Sequence, residues 1–491
     1  MKKKLVVTMV AFFVLALSFA MAPKKANAIP AFAQKYHFSC AVCHTVFPNL
    51  NPFGRAFWRN GFRLPGTEGT PADATQITEG LSLPNPWPIP IMMSSNIWYK
   101  HTTNENVSAH TDQFNAKVNF VVGGASPIYT PLANSLSFYM HMHIMAGGGF
   151  GKDQVWASLN GVGSEFGLPA HLLNLKVGQL TTASPYFYRQ NVIFPTNGPV
   201  GAIQGLSVGY DGEAGVLIHS QNPGFALYGT PGYHLWYKVT VTNDTGSGVR
   251  TVNPNNNGVL NAIQYYCSPK LDTRTMQFYC SPKLFSRALY NNSVSNAMEY
   301  SYQLKEYAPT PMGQFELGYY GATIAEPITA SGNTWTNRVL VNGVDVDLAN
   351  DIYELGLTYM VQSDSNPYAN DGAALPTGVT DTSNGYSTFE AYGRYLMPNV
   401  GNGLMLVADY ATYSYTHKNS QDAFNSTPST CSNQNLYGGT SGWPTCVEGI
   451  KNDLTLMAEY NLSYNAHLYA GYDLTNVSEF DQFQTGIFFA F

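Results

Sequence analysis

Leu136-Ser137-Phe138-Tyr139-Met140-His141-Met142-His143-Ile144 places an apolar side chain at every second position, with Ser137, Tyr139, His141 and His143 between them. A period of two belongs to an extended strand, whose successive side chains point to opposite faces. The two histidines therefore share the polar face of one strand. The same alternation runs through residues 114–120, 235–241, 353–359, 454–460 and 466–472.

Such strands suit either a soluble sandwich or a membrane barrel with lipid outside and water inside. Length separates the two. Many of the runs reach about 9–11 residues, which a tilted strand needs to cross the hydrocarbon core, whereas soluble strands average about 5–6. Short turns such as Ser463-Tyr464-Asn465 and residues 398–402 alternate with long polar segments around 243–294 and 418–449, the habit of outer-membrane barrels. Phe483, Thr485, Ile487, Phe489 and Phe491 alternate up to a final phenylalanine, resembling the end by which such barrels are recognised for assembly. The expected fold is all-β, a transmembrane antiparallel β-barrel of about 16 strands over residues 91–491, wide enough to hold water or a plug. The expected location is the bacterial outer membrane.

Composition agrees. Charged residues make up 11% of the chain, against about 25% in an ordinary globular domain. Tyrosine and glycine are abundant, and no later stretch is long and apolar enough for a membrane helix. The net charge of -6 argues against a nucleic-acid partner. Few carboxylates also suit an acidic setting, because carboxylates paired in the native state destabilise it when protonated.

Residues 1–28 have the three parts of a signal peptide. Lys2, Lys3 and Lys4 open it, residues 5–20 are apolar, and Ala26-Asn27-Ala28 is a small-residue cleavage site. A membrane anchor is the alternative, but the apolar run is near the lower limit for a span. Residues 29–64 form a compact aromatic unit. Residues 65–90 are a Pro-rich linker ending in Pro84-Asn85-Pro86-Trp87-Pro88-Ile89-Pro90, where alternate prolines exclude helix.

Within the aromatic unit, Cys40-Ala41-Val42-Cys43-His44 has the C-x-x-C-H spacing of c-type haem attachment. Two thiols bond the haem vinyl groups, and the adjacent imidazole reaches the iron. A thioredoxin-like cysteine pair would need a surrounding βαβ pattern, which is absent from the sequence. The expected cofactor is one covalent haem c on Cys40, Cys43 and His44. Downstream, Asn51 can cap a short helix, Pro52 suits its first position and Gly61 its stop. Phe53 and Phe57 lie one turn apart and can pack on the haem. Arg55 and Arg59, on another side, are either propionate partners or a solvated basic face. The second axial ligand stays open. His141 or His143 is a candidate, as are Met92 and Met93, with an ordinary lumen or linker role the plainer reading of each.

Cys267 with Cys280 and Cys431 with Cys446 fall as close pairs in polar stretches, the usual setting of loop disulfides after export. Asp345 and Asp347 form a D-x-D segment that reads as a solvated turn or strand end rather than a metal cage.

Residues 29–33, the Cys40–His44 motif, Pro48-Asn49-Leu50-Asn51-Pro52-Phe53-Gly54-Arg55 and Asn60-Gly61-Phe62 resemble the head of the fused outer-membrane monohaem cytochrome c–porins of iron-oxidising bacteria. Phe62 stands where a Tyr is expected of that family, and over the barrel the likeness is one of architecture. The resemblance implies a small α-helical monohaem cytochrome plugging a porin-like barrel. It implies oxidation of extracellular Fe(II), an oxidoreductase role in the broad sense, with electrons passed inward to a periplasmic cytochrome or copper protein. Two other readings compete with it: a transport porin whose haem plug acts as a redox gate, and a soluble periplasmic haem enzyme.

Overall fold

The computed structural model describes residues 32, 36, 38–46, 49–64, 74–78, 81–84, 91–102, 111–130, 133–145, 150–181, 221–243, 251–252, 298–330, 333–365, 384–415, 452–463, 465–475 and 481–490. Its dominant element is a closed antiparallel barrel of 16 strands. In chain order the first eight are β1 (Ile91–Thr102), β2 (Thr111–Thr130), β3 (Ala133–Met145), β4 (Phe150–Asn160), β5 (Asn174–Thr181), β6 (Gln221–Gly229), β7 (Leu235–Asn243) and β8 (Met298–Thr310). The rest are β9 (Gly313–Ala330), β10 (Asn333–Ala349), β11 (Tyr353–Asp364), β12 (Asn384–Met397), β13 (Leu404–Tyr415), β14 (Asn452–Ser463), β15 (Ala466–Thr475) and β16 (Gln482–Ala490). Chain neighbours pair throughout, and β16 returns to β1 in a register that runs from Gln482 opposite Thr102 to Ala490 opposite Ser94. The expected strand number is met, and the first barrel strand runs from Ile91.

Closure decides what alternation means. On β8, Glu299, Ser301, Gln303 and Lys305 are buried, while Tyr300 and Leu304 are 54% and 42% exposed. On β11, Glu354 and Thr358 face inward and Leu355, Leu357 and Tyr359 outward. Polar inside and apolar outside is the reverse of a soluble core, and it suits a wall set in lipid whose backbone groups are all paired between strands. Among the described residues no helix is long and apolar enough to cross a membrane.

One rim carries short connections: Pro311-Met312, residues 350–352 and residues 398–403. At the second of these, the Asn350 side-chain oxygen accepts from the backbone N–H of Ile352 (2.8 Å) and of Tyr353 (2.9 Å), an Asx turn that reverses the chain. At the other rim the connections pass through residues 182–220, 244–250, 253–297, 366–383 and 416–451, outside the described residues. Cys267, Cys280, Cys431 and Cys446 fall there, so their expected disulfides lie outside the described residues, as does the 1–28 segment.

Part of the linker departs from plain extended chain. Ala74–Thr78 and Leu81–Pro84 pair antiparallel as a hairpin. Residues 74–83 hold no proline, and Pro84, the first of the terminal proline run, sits at the end of the pairing opposite Ala74.

Candidate functional site

The C-x-x-C-H segment folds as one helical turn, α1 (Cys40–Cys43), and passes straight into a short strand, His44–Val46, that pairs with Asn49–Leu50. The next helix, α2 (Pro52–Arg59), starts as its sequence requires. Pro52 occupies the first turn, and the Asn51 side-chain oxygen accepts from the Gly54 N–H at 2.9 Å. The Asn51 amide also donates to the carbonyls of Ala41 (3.2 Å) and Val42 (3.0 Å), so one residue caps α2 and ties it to α1. The helices approach so closely that a Cβ at position 54 would fall on the Cys43 carbonyl oxygen, hence Gly54.

The far end of α2 is a complete Schellman motif. Gly61 N–H bonds the Trp58 carbonyl (3.1 Å), Phe62 N–H bonds the Phe57 carbonyl (3.0 Å), and Gly61 takes φ +68°. Phe62 follows at φ +60°, a conformation that costs a non-glycine residue and is held here by packing. Its ring stacks on Phe32 (4.9 Å) and on wall residue Trp156 (5.8 Å between centroids, 5° between planes), with Phe57 beside it. Phe57 thus belongs to a buried aromatic cluster with Phe62, Trp156 and Leu180.

Cys40 and Cys43 are half-buried, and neither is in a disulfide. Burial raises both thiols; Cys43 reaches about 11, with Cys40 beside it adding to the shift. Next to His44, Thr45 Oγ1 and Asn49 Nδ2 are buried without a hydrogen-bond partner among the described residues. Two unpaired thiols on one helical turn, an imidazole on the following residue and unused polar atoms alongside make a donor set that fits a c-type haem.

Arg55 and Arg59 correct one expectation. Neither is a solvated basic face, because both are buried against carboxylates that the lumen wall supplies. Arg55 is 1% exposed; it donates to Asp347 (2.5 Å) and to Glu354, and Glu316 lies 3.6 Å away. Arg59 bonds Glu316 at 2.9 Å, and Arg394 holds the other Glu354 oxygen at 2.6 Å. Burial alone would lower the Arg55 pKa, but Glu354, Asp347 and Glu316 outweigh it and raise it well above the ordinary value, so the cation persists wherever the protein is folded. Asp345 and Asp347 are corrected with it. They face the lumen rather than solvent, Asp347 on Arg55 and Asp345 on Lys305 at 2.6 Å. These partners stand near the turns at 311–312, 350–352 and 398–403, so α2 lies at the short-turn mouth.

On the opposite arc, Ser137 Oγ donates to the Gly61 carbonyl, and Arg63 bonds Asn174 at 3.0 Å. His141 and His143 take the inward face of β3 with Tyr139. Their rings are 6.5 Å apart, and His141 Nε2 meets Asn119 at 3.2 Å. No local motif marks the wall carboxylates Glu316 and Glu354, although each sits in phase with the polar positions of its strand.

No family model and no curated protein matches the chain. Among solved structures it is similar to Salmonella typhi OmpF in complex with daunomycin, with 13% identity and a TM-score of 0.44, over 82% of this chain and 98% of that one. It is also similar to a triple mutant of the Rhodopseudomonas blastica porin, with 10% identity and a TM-score of 0.39, over 82% of this chain and 100% of that one.

Proposed function

We propose that the chain is an outer-membrane electron conduit that oxidises extracellular Fe(II), with a monohaem cytochrome unit as the plug of a porin-like barrel. The observation that carries this reading is the joining of the C-x-x-C-H turn, through Asn51, to a helix whose two arginines are buried against lumen carboxylates. Cys40 and Cys43 would hold the group covalently and His44 would bind its iron. Bound there, a haem supplies a one-electron redox centre suited to an outer-sphere donor such as Fe(II) and to a periplasmic cytochrome or copper protein as acceptor. The choice of Fe(II) rests on the family resemblance. Short turns face the periplasm in bacterial barrels, which sets the unit toward the acceptor side.

A channel is the second reading, and the closed barrel with a polar lumen speaks for it more directly than for redox chemistry. In that case the helical unit would be a gate. The buried ion pairs weigh against frequent opening, since separating them strands charge out of water.

Stopped-flow mixing of oxidised, purified protein with Fe(II) separates the readings. Haem reduction on mixing is expected, and its absence over the whole pH range of folding would sink the Fe(II) oxidase reading. Planar-bilayer conductance that changes with haem oxidation state would favour the gate.

A further inference from the structure

We propose that the lumen holds a second site, a pocket for one small oxyanion of the phosphate or sulfate type, between α2 and strands β4–β8. The pocket is a cavity lined by Trp58 and Arg59 of α2 and by Trp156, Lys176, Trp236 and Lys238 of the wall. None of these residues belongs to the Cys40–His44 segment, so the inference stands apart from the haem reading.

Lys176 carries the argument. It is 8% exposed, and its ammonium has neither a carboxylate nor a hydrogen-bond acceptor among the described residues. What surrounds it is aromatic: Nζ lies 3.9 Å from the ring centre of Trp156, 4.9 Å from Tyr228 and 5.1 Å from Trp58. Ring faces recover only part of the hydration that a buried ammonium loses. A second buried lysine, Lys238, lines the same cavity and adds like charge.

The neutral donor points the same way. Trp236 Nε1, on the cavity wall, is buried without an acceptor among the described residues. The acids nearby are already engaged, Glu316 by Arg59 and Arg55, and Asp345 by Lys305. Arg59 itself is turned over the rings of Tyr307 (4.5 Å) and Trp236 (5.7 Å).

The cavity therefore presents two ammonium groups and an indole N–H, with the amides of Gln154 and Gln303 beside them. A cation would be repelled there. A neutral apolar guest would leave the Lys176 ammonium and the Trp236 N–H unanswered. An oxyanion offers several acceptor oxygens and negative charge at once, and its bonds to the ammonium groups are charge-assisted.

The test is calorimetric titration of the full-length protein in detergent, as purified with whatever haem it carries, with sodium sulfate and then inorganic phosphate, chloride holding ionic strength constant. One oxyanion per chain is expected to bind. Lys176→Gln should weaken binding by more than about tenfold, and Trp236→Phe, which keeps the cavity shape and removes only the N–H, by about tenfold. Lys176→Arg should retain binding, and the heat-shifted gel mobility of a folded barrel should persist in every variant. No heat with the wild type overturns the site, leaving a water-filled cavity. Binding unaffected by both Lys176→Gln and Trp236→Phe also overturns it, because the anion then sits elsewhere. A sulfate-silent wild type whose haem spectrum shifts in Lys176→Gln overturns it too, and would assign the pocket to a carboxylate of the attached haem.

Discussion

The two arcs of wall that hold α2 use opposite chemistry. Along β9–β12, Arg55 and Arg59 meet Glu316, Asp347 and Glu354, and Arg394 completes the set. Along β3–β7 the same helical unit meets Trp156, Tyr139, Trp236 and Tyr228, with Lys176 buried among rings and no acid beside it among the described residues. The first arc fixes position, because separating a buried pair strands its charges. The second supplies area and shape and leaves positive charge for something else to answer. Helix α2 is thus anchored on one side, and on the other it borders the pocket proposed to take an oxyanion.

Breaking the ionic arc should have the largest effect. Arg55→Ala leaves Asp347 and Glu354 without their cation and should cost the seated helix about 3–5 kcal/mol. The measurement is the melting of near-ultraviolet circular dichroism of the helical unit, with the barrel intact by gel mobility. An unchanged midpoint would refute the latch. The aromatic arc comes next. Phe57→Ala removes a ring from the cluster with Phe62 and Trp156, at a cost of about 3 kcal/mol. Because that loss is apolar, it should persist at high salt. Asn51→Ala removes the α2 cap and should cost about 1 kcal/mol, read from the same melt.

A further effect is a pH dependence in protein expressed without haem attachment. Burial raises the Cys43 thiol from 9.0 to about 11. The folded state then holds a proton that the unfolded state loses first, so this contribution to stability is present below pH 9 and is lost as pH rises toward 11. Alkylation of Cys43 should climb through the same window, and a plateau already reached at pH 9 would contradict the burial.

The barrel was legible because period two is written along every strand, and closure only turned the two faces inside out. The caps of α2 were legible too, since Asn51-Pro52 and Asn60-Gly61 act through their own backbone. The partners of Arg55 were not. Asp347 and Glu354 lie 292 and 299 residues away, and nothing local links an arginine on a short helix to strands that reach it only through closure. Asp347 looked like a solvated acid for the same reason. The inward face of His141 and His143 followed from alternation, whereas a ligand role depends on distances that alternation does not encode.

The central claim is that Cys40 and Cys43 carry a haem within a folded barrel. Peptide-resolved mass spectrometry of the detergent-extracted, folded protein after thiol alkylation tests it most directly. The account expects the peptide spanning Cys40 to His44 to carry the mass of one haem and no alkyl label. A peptide with no haem mass and a label on both cysteines would contradict it.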